Sequence, residues 1–570
     1  MFAKPDLVLL HPPSVYDFRR LTIVPSPISD LVPSTPVFEL YPIGFTYLGE
    51  YLERGGINTR VVNLAQRMLE DDRFDVPGFL SRLDPASFGI DLHWLTHAQG
   101  ALEVARMIKE IHPSKPVIMG GYSATFFHRE LISYPFVDYV VRGDSTEEPL
   151  RRLMESILHG GSPLGIPNLT YKGPGGTVIE NPLSYLPASL EYLGDNYRYM
   201  MRSAFKYGDY KSLRAFWNWW RYPVTMVLTC RGCARDCAFC GGSSSALKRL
   251  CGREKPAFRS PERIAYDVEL ISRFTTAPIF VVGDLLQGGP DYAHRTLELI
   301  SHISFRNHLV LELFSPAPRD YFERVASSFD NYDFQISPET HDEGIREVIG
   351  KPYTNEELER CISWALDSGC DKFDIFFMIG LPGQDRDSVM QTVEYCGELL
   401  RRFGPRVNPS IGPLAPFIDP ECIYHREPDR YGYRIIHHTL EEFAHASLSP
   451  HWRDMLGYET RWMSRQEIVN VTYEALLALN AIKENNGLIS PSFAARNDRR
   501  IRDTLSLLKL VDDVMAIEDA SRRRAELEKL SREARKLFEE LRMPKEELTW
   551  PVVGSRFRRF NILRILMGWI

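Results

Sequence analysis

The chain has 570 residues, too many for one hydrophobic core, so two to four domains are expected. Hydrophobic residues make up 44% and charged residues 25%, the balance of a soluble globular protein. A net charge of −7 excludes a general nucleic-acid binder, and nine cysteines with four in one loop exclude a secreted disulfide framework. The opening MFAKPDLVLLHPP carries too short an apolar run for a signal peptide, and no run is long enough to span a membrane. A reducing cytoplasm is the expected location.

Residues 1–160 alternate strand-like and helix-like patterns. DLVLLHPP reads as a buried strand ending in a turn. A polar, proline-rich stretch follows, then PIGFTYLGEYLERGG with helical periodicity and a glycine stop at Gly55 and Gly56. INTRVVNL, SFGIDLHWL, KPVIMGG and VDYVVRGD are further strands. Between and after them run the helices HAQGALEVARMIKEIHP, HRELISYP and STEEPLRRLMESILHG. This alternation predicts an α/β domain with a doubly wound parallel sheet. Such sheets bind ligands at the carboxyl ends of their strands. The loops of interest are therefore Pro12–Pro13, Asn63, His93–Thr96, Gly120–Thr125 and Gly143–Glu147.

Residues 161–221 read as a linker with some short strands. Its aromatic run FWNWWRYP, Phe216 to Pro223, is either inter-domain packing or a wall over a flat cofactor. A second β–α series follows: PVTMVLTC, APIFVVGD, HLVLELF, YDFQISPE, CDKFDIFFMIG and VNPSIGPLAPF. Six such strands predict a partial β/α barrel over 222–430, with chemistry at the C-terminal strand ends. Residues 431–570 read as a helical C-terminal domain. The final SRFRRFNILRILMGWI, arginine-rich and apolar, reads either as a packed terminal helix or as one that touches a lipid surface.

Four cysteines fall in the run TCRGCARDCAFCGG: Cys230, Cys233, Cys237 and Cys240. The last three have the spacing C-x3-C-x2-C. Three thiolates so spaced can wrap one face of a cube-shaped iron–sulfur cluster and leave the fourth iron open to a substrate or cofactor. Cys230 reads as a structural thiol or as a redox or substrate-site thiol. Cys251, Cys361, Cys370, Cys396 and Cys422 have no mutual metal spacing, so no second cluster is expected.

RGCARDCAFC resembles the signature of the radical S-adenosylmethionine (radical SAM) superfamily. GDLLQGG, SPETHDEGIREVIGKPYTNEE, IGLPGQDRDSV and LAPFIDPE resemble that family's later motifs in order. The resemblance implies a [4Fe–4S] cluster on Cys233, Cys237 and Cys240, with S-adenosylmethionine on the open iron. Phe239 would stand near the adenine. Asp284, Ser337 and Glu339 would meet the ammonium or the ribose, and Gly380, Pro382 and Gly383 would form a tight turn against the cofactor. The competing readings are a surface carboxylate or helix cap for Asp284 and Glu339, and a plain strand-to-helix turn for the glycines.

The N-terminal pattern resembles the cobalamin-binding domain that precedes such barrels in one subfamily. Gly120, Gly121, Ser123, Thr125 and Gly143 would receive the corrin or its nucleotide tail. The motif D-x-H-x-x-G, whose histidine ligates cobalt elsewhere, is absent after the first strand. Asp91 and His93 follow the third strand and lack its glycine, so cobalamin without a protein histidine on cobalt is expected. His11, Tyr16 or Arg19 is then expected beneath the corrin.

Together these resemblances imply a cobalamin-dependent radical SAM enzyme. It would transfer a methyl group to, or rearrange, an unactivated carbon of a small molecule or lipid. A low-potential donor such as ferredoxin or flavodoxin would supply the electron. The alternatives are a cobalamin-independent radical SAM enzyme with a vestigial N-terminal domain, and a non-catalytic iron–sulfur or cobalamin sensor.

Overall fold

A computed structural model describes residues 4–24, 26–27, 43–209, 211, 225–414, 416–540, 561 and 564. The aromatic run 216–223 and all of 555–570 except 561 and 564 lie outside the described residues.

The first sheet is built around Leu7–His11 (β1), whose five residues are all buried, as a central parallel strand requires. Thr59–Asn63 (β2) and Ser87–Asp91 (β3) flank it in parallel, with Leu7 opposite both Thr59 and Ser87. Val117–Gly120 (β4) and Tyr139–Val141 (β5) continue the array. Leu169–Lys172 (β6) and Val178–Glu180 (β7) then add two antiparallel strands. The order is β2-β1-β3-β4-β5-β6-β7. The segment expected to be a linker thus also extends this sheet. Short strands were expected there, but strands of four and three residues carry too little periodicity to show which sheet they join.

Connections diverge at β1 and β3, the switch point where open sheets leave a crevice at their carboxyl edge. The helix Ala98–Ile111 buries Ala101, Val104, Ala105 and Ile108 against the sheet. The helix Glu147–His159 opens with two acidic residues at its electropositive end and stops at left-handed Gly160 (φ 68°).

The second sheet contains all six expected strands. Thr225–Leu228 (β8) leads to a small antiparallel pair, Cys230–Arg231 (β9) with Ala257–Phe258 (β10), which carries the cysteine loop. Ile279–Val282 (β11), Leu309–Leu313 (β12), Tyr332–Glu339 (β13), Lys372–Ile379 (β14) and Val407–Pro413 (β15) follow. All pairings among β8 and β11 to β15 are parallel, in the order β8-β11-β12-β13-β14-β15.

The C-terminal region begins with an antiparallel pair, Tyr433–Ile435 with Tyr458–Thr460, before it turns helical. Arg465–Asn485 packs on the barrel helix Arg386–Phe403 and on β15. Pro491–Met515 and Ala520–Glu540 add two further helices, separated at residues 516–519. Among the described residues no helix is long and apolar enough to cross a membrane.

Asp374 marks the base of the barrel. Its side chain is fully buried and accepts a hydrogen bond from Asn408 Nδ2 at 2.7 Å, with Lys372 Nζ at 3.6 Å. Burial pushes its carboxyl up to about 6, against the opposing pull of Lys372. A raised acid binds more protons folded than unfolded, so its stabilising contribution is complete below about pH 4 and is lost as pH rises through about 6. Asp374→Asn mimics the neutral acid. It is expected to flatten the stability profile between those values and to raise the urea midpoint at pH 7–8, by up to about 1.4 kcal/mol per unit of pKa shift removed. An unchanged slope in urea titrations across pH 4–7 would refute this.

Candidate functional site

The cysteine loop sits at the C-terminal edge of the second sheet. Cys233, Cys237 and Cys240 are half-buried, whereas the other six cysteines are buried. Two sulfurs accept backbone hydrogen bonds, Cys233 from Arg235 N and Cys240 from Gly242 N, both at 3.3 Å. The loop is pinned at several points: Ala238 N to Ile349 O (3.0 Å), Tyr424 N to Ala238 O (3.0 Å), and Gly241 N to the Asp419 carboxylate (2.9 Å). Burial pushes the three thiols up, Cys233 to about 11. A bound metal would deprotonate them. Half-exposed thiols with N–H···S support, on a rigid loop, fit the donor set of an iron–sulfur cluster. Cys230 is buried, with its thiol 3.7 Å from Gly232 O.

Beside the loop stands a residue that sequence reasoning missed. Lys351 Nζ lies 2.5 Å from Glu339 Oε1 and 2.5 Å from Ser337 O, and 5.6 Å from the centre of the Phe239 ring. Burial would lower this ammonium, but Glu339 outweighs that and raises it, so the cation persists in the interior. Its signal was the lysine of GKPYT, within the motif quoted above. Glu339 ends β13 with φ 69°, a conformation rare outside glycine. Ser337 contributes its carbonyl to this group. Asp284 is 2% exposed, and its carboxylate accepts from Leu286 N (2.8 Å) and Phe314 N (2.9 Å). The helix-cap reading therefore describes its contacts in the free chain. Gly380 (φ 98°) and Gly383 (φ 81°) flank Pro382 in a turn held by the buried Gln384, whose Oε1 accepts from Gly380 N at 2.9 Å.

At the carboxyl edge of the first sheet lies a cavity of about 300 Å³, walled by Gly44, Gly89, Gly120, Gly121 and Gly143. Gly121 has φ 119°, and a Cβ there would lie 2.7 Å from His93 N. Thr125 lines the cavity; its hydroxyl donates to Gly121 O (2.8 Å) and accepts from Gly143 N (3.0 Å). Ser123 is buried and does not line it. Five glycines in the lining let backbone face the cavity, which leaves room for a flat base and its linker. His11, Tyr16 and Arg19 are absent from the lining: Arg19 is turned to Asp17 (2.7 Å), and His11 is fully buried against Asp91. Asp91 and His93 line it instead. Burial alone would raise the Asp91 carboxyl, but the imidazoles of His11 and His93 outweigh that and hold it far below the usual range.

The two edges meet. Arg231, two residues before Cys233, lines the cavity and forms a two-pronged pair with Glu147, with N–O distances of 2.5 and 3.0 Å. Arg253 pairs with Asp144. The Tyr122 hydroxyl donates to Gly241 O at 2.6 Å, with Pro420 O also in reach at 2.9 Å. Asp419, half-buried beside them, has its carboxyl pushed up to about 6 by desolvation.

Residues 227–396 match the model of the radical SAM superfamily, and residues 31–151 match that of the B12 binding domain. The chain is a radical SAM enzyme with a B12-binding domain. The first family works with a [4Fe–4S] cluster and S-adenosylmethionine, and the second domain binds cobalamin. An uncharacterised methyltransferase of Pyrococcus horikoshii is 24% identical over 365 residues, 63% of this chain and 73% of its own. The hopanoid C-3 methylase of Methylococcus capsulatus is 26% identical over 287 residues, 49% of either chain. The structure of the radical SAM methyltransferase TsrM from Kitasatospora setae, with cobalamin and a [4Fe–4S] cluster bound, shares the fold. Its TM-score is 0.56 at 15% identity, covering 93% of this chain and 99% of that one.

The Arg231–Glu147 pair is expected to behave as a buried ion pair. Glu147→Ala strands the Arg231 charge and should cost about 3–5 kcal/mol in anaerobic denaturation. The Arg231→Leu, Glu147→Leu double variant should recover most of that loss. A cost below about 1 kcal/mol, the range of exposed pairs, would show that the junction is solvated.

Proposed function

We propose that this enzyme methylates an unactivated carbon of a small, largely apolar substrate, using a [4Fe–4S] cluster, S-adenosylmethionine and cobalamin together. The observation that carries this reading is the shared wall. Tyr122 and Arg231 line the glycine-walled cavity, and both tie it to the cysteine loop. A substrate at the barrel mouth then lies within reach of both cofactor sites, as methyl transfer demands.

When bound, the cluster with S-adenosylmethionine supplies a hydrogen-abstracting radical, and cobalamin supplies the methyl group. The chain's own residues hold and orient. Cys233, Cys237 and Cys240 would hold three irons. Lys351, fixed by Glu339 and the Ser337 carbonyl, offers a buried cation next to Cys237 for a carboxylate, and the Glu339 carboxylate suits an ammonium. Asp284 suits an ammonium or hydroxyl after exchanging one of its backbone partners. Phe239 offers a ring face, and the Gly380–Pro382–Gly383 turn a close backbone. Gly120, Gly121, Thr125 and Gly143 would take the nucleotide tail of cobalamin, with Ser123 supporting from behind. The functional units are then 1–160 for cobalamin, 161–221 as connector, 222–430 for the cluster and 431–570 as cover.

The named substrate of the hopanoid methylase favours a lipid-like acceptor here, and the basic, apolar segment 555–570 suits contact with a lipid surface. A low-potential donor such as ferredoxin or flavodoxin would supply the electron.

Anaerobic reconstitution with hydroxocobalamin is expected to give about four irons and one cobalt per chain. Alanine at Cys233, Cys237 or Cys240 should abolish 5′-deoxyadenosine formation, while Cys230→Ala should keep the cluster spectrum. Wild-type cleavage in any of the three variants would sink the ligand assignment. Four irons without cobalt would remove cobalamin from the reaction.

A further inference from the structure

At the end of the second sheet away from the cysteine loop, three adjacent strands begin side by side. Leu309 opposes Tyr332 across β12 and β13, and Asp333 opposes Lys372 across β13 and β14. This register gathers His308, which precedes β12, Asp333 within β13, and Asp371, which precedes β14. Each offers one ligand atom, and the three atoms lie within 4.8 Å of one another. Backbone hydrogen bonds fix two of the three carriers. Ile279 N donates to His308 O at 2.8 Å, and Asp371 N donates to Tyr332 O at 3.0 Å.

Asp333 is the group that calls for a cation. It is 0% exposed, and neither carboxylate oxygen has a hydrogen-bond partner among the described residues. His308 Nε2 stands 2.9 Å from its Oδ1, at hydrogen-bonding distance but off the hydrogen-bond line, so that nitrogen is unsatisfied as well. A carboxylate removed from water without hydrogen bonds is strongly unfavourable unless positive charge meets it. Lys372 supplies part of that charge, but its ammonium also serves Asp374, 3.6 Å away, and gives Asp333 no hydrogen bond. A nitrogen and an oxygen about 3 Å apart that do not bond each other have the separation of neighbouring ligands on one ion, with bonds of about 2.1 Å. Asp371 stands on the solvent side, its side chain 53% exposed and its Oδ2 3.8 Å from Nδ1 of the same imidazole. An exposed carboxylate of this kind is free to swing onto the ion.

We propose that His308, Asp333 and Asp371 form a divalent transition-metal site at the base of the barrel, with water in the remaining positions. One imidazole and two carboxylates suit Mn2+, Fe2+ or Zn2+, whereas a nitrogen ligand disfavours Mg2+ and Ca2+. The site lies at the N-terminal ends of the strands, so its ion takes no part in chemistry at their C-terminal ends. It ties together the starts of β12, β13 and β14. Its binding free energy therefore adds to the stability of the folded barrel.

The probe is Mn2+, added to the full reconstituted chain with its cluster and cobalamin oxidised and silent in electron paramagnetic resonance. Loss of the free Mn2+ signal should report a single tight site per chain, and excess Mg2+ should not empty it. Electron spin echo modulation of the bound ion should show an imidazole nitrogen that changes when histidine is labelled with 15N. His308→Ala and Asp333→Asn should each weaken binding at least about tenfold, and His308→Ala should remove the nitrogen modulation. Mn2+ should raise the urea midpoint of the wild type and leave that of Asp333→Asn unmoved. Asp333→Asn keeps the shape of the side chain, so it decides the matter should His308→Ala fail to fold. No binding at millimolar Mn2+, ready displacement by Mg2+, a bound ion without nitrogen modulation, or binding unchanged in Asp333→Asn would each overturn the proposal.

Discussion

Two arginines hold the carboxyl edges of two parallel sheets against each other. Arg231 and Arg253 leave the second domain just before and just after the cysteine loop, and close on Glu147 and Asp144 of the first. Such buried pairs contribute little net stability, because desolvation offsets the attraction. What they supply is direction. A guanidinium fork on a carboxylate tolerates little rotation, so the pairs set where one sheet edge stands relative to the other. Tyr122 and the edge-on contact of Trp94 with Phe417 (5.6 Å) work at the same seam.

Each edge is chemically prepared in a similar way. Parallel topology sends every loop of interest to one end of its sheet. Glycines with positive φ then let backbone replace side chain at that end: Gly121 and Gly143 in the first domain, Gly380 and Gly383 in the second. Buried charge is kept ionised by an adjacent partner, Lys351 by Glu339 in one site and Asp91 by two imidazoles in the other. A charge in low dielectric with fixed partners needs no reorganisation when a ligand arrives, which suits chemistry that must exclude water.

Much of this was legible in the chain. The cysteine spacing, the six barrel strands and the first five strands of the N-terminal sheet all carry local signals: thiolate geometry, apolar runs and glycine stops. The short strands expected in 161–221 gave no sign that β6 and β7 would extend the first sheet as antiparallel strands, and the break at 516–519 has no marker as strong as proline or glycine. Cys230 was set apart from the three candidate ligands by spacing alone; its thiol lies 3.7 Å from Gly232 O.

The sequence by itself determined the fold class, the three candidate iron ligands and the presence of two ligand-binding edges, because each of these follows from spacing along a few residues. Only the tertiary structure decided which side chains share a site. His11 and Asp91 stand 80 residues apart, and Arg231 and Glu147 stand 84 apart. Lys351 joins Glu339 and Phe239 only when β13 and the cysteine loop come together. Hydrogen bonds and ion pairs between distant segments depend on where strands lie side by side, and no local pattern records that.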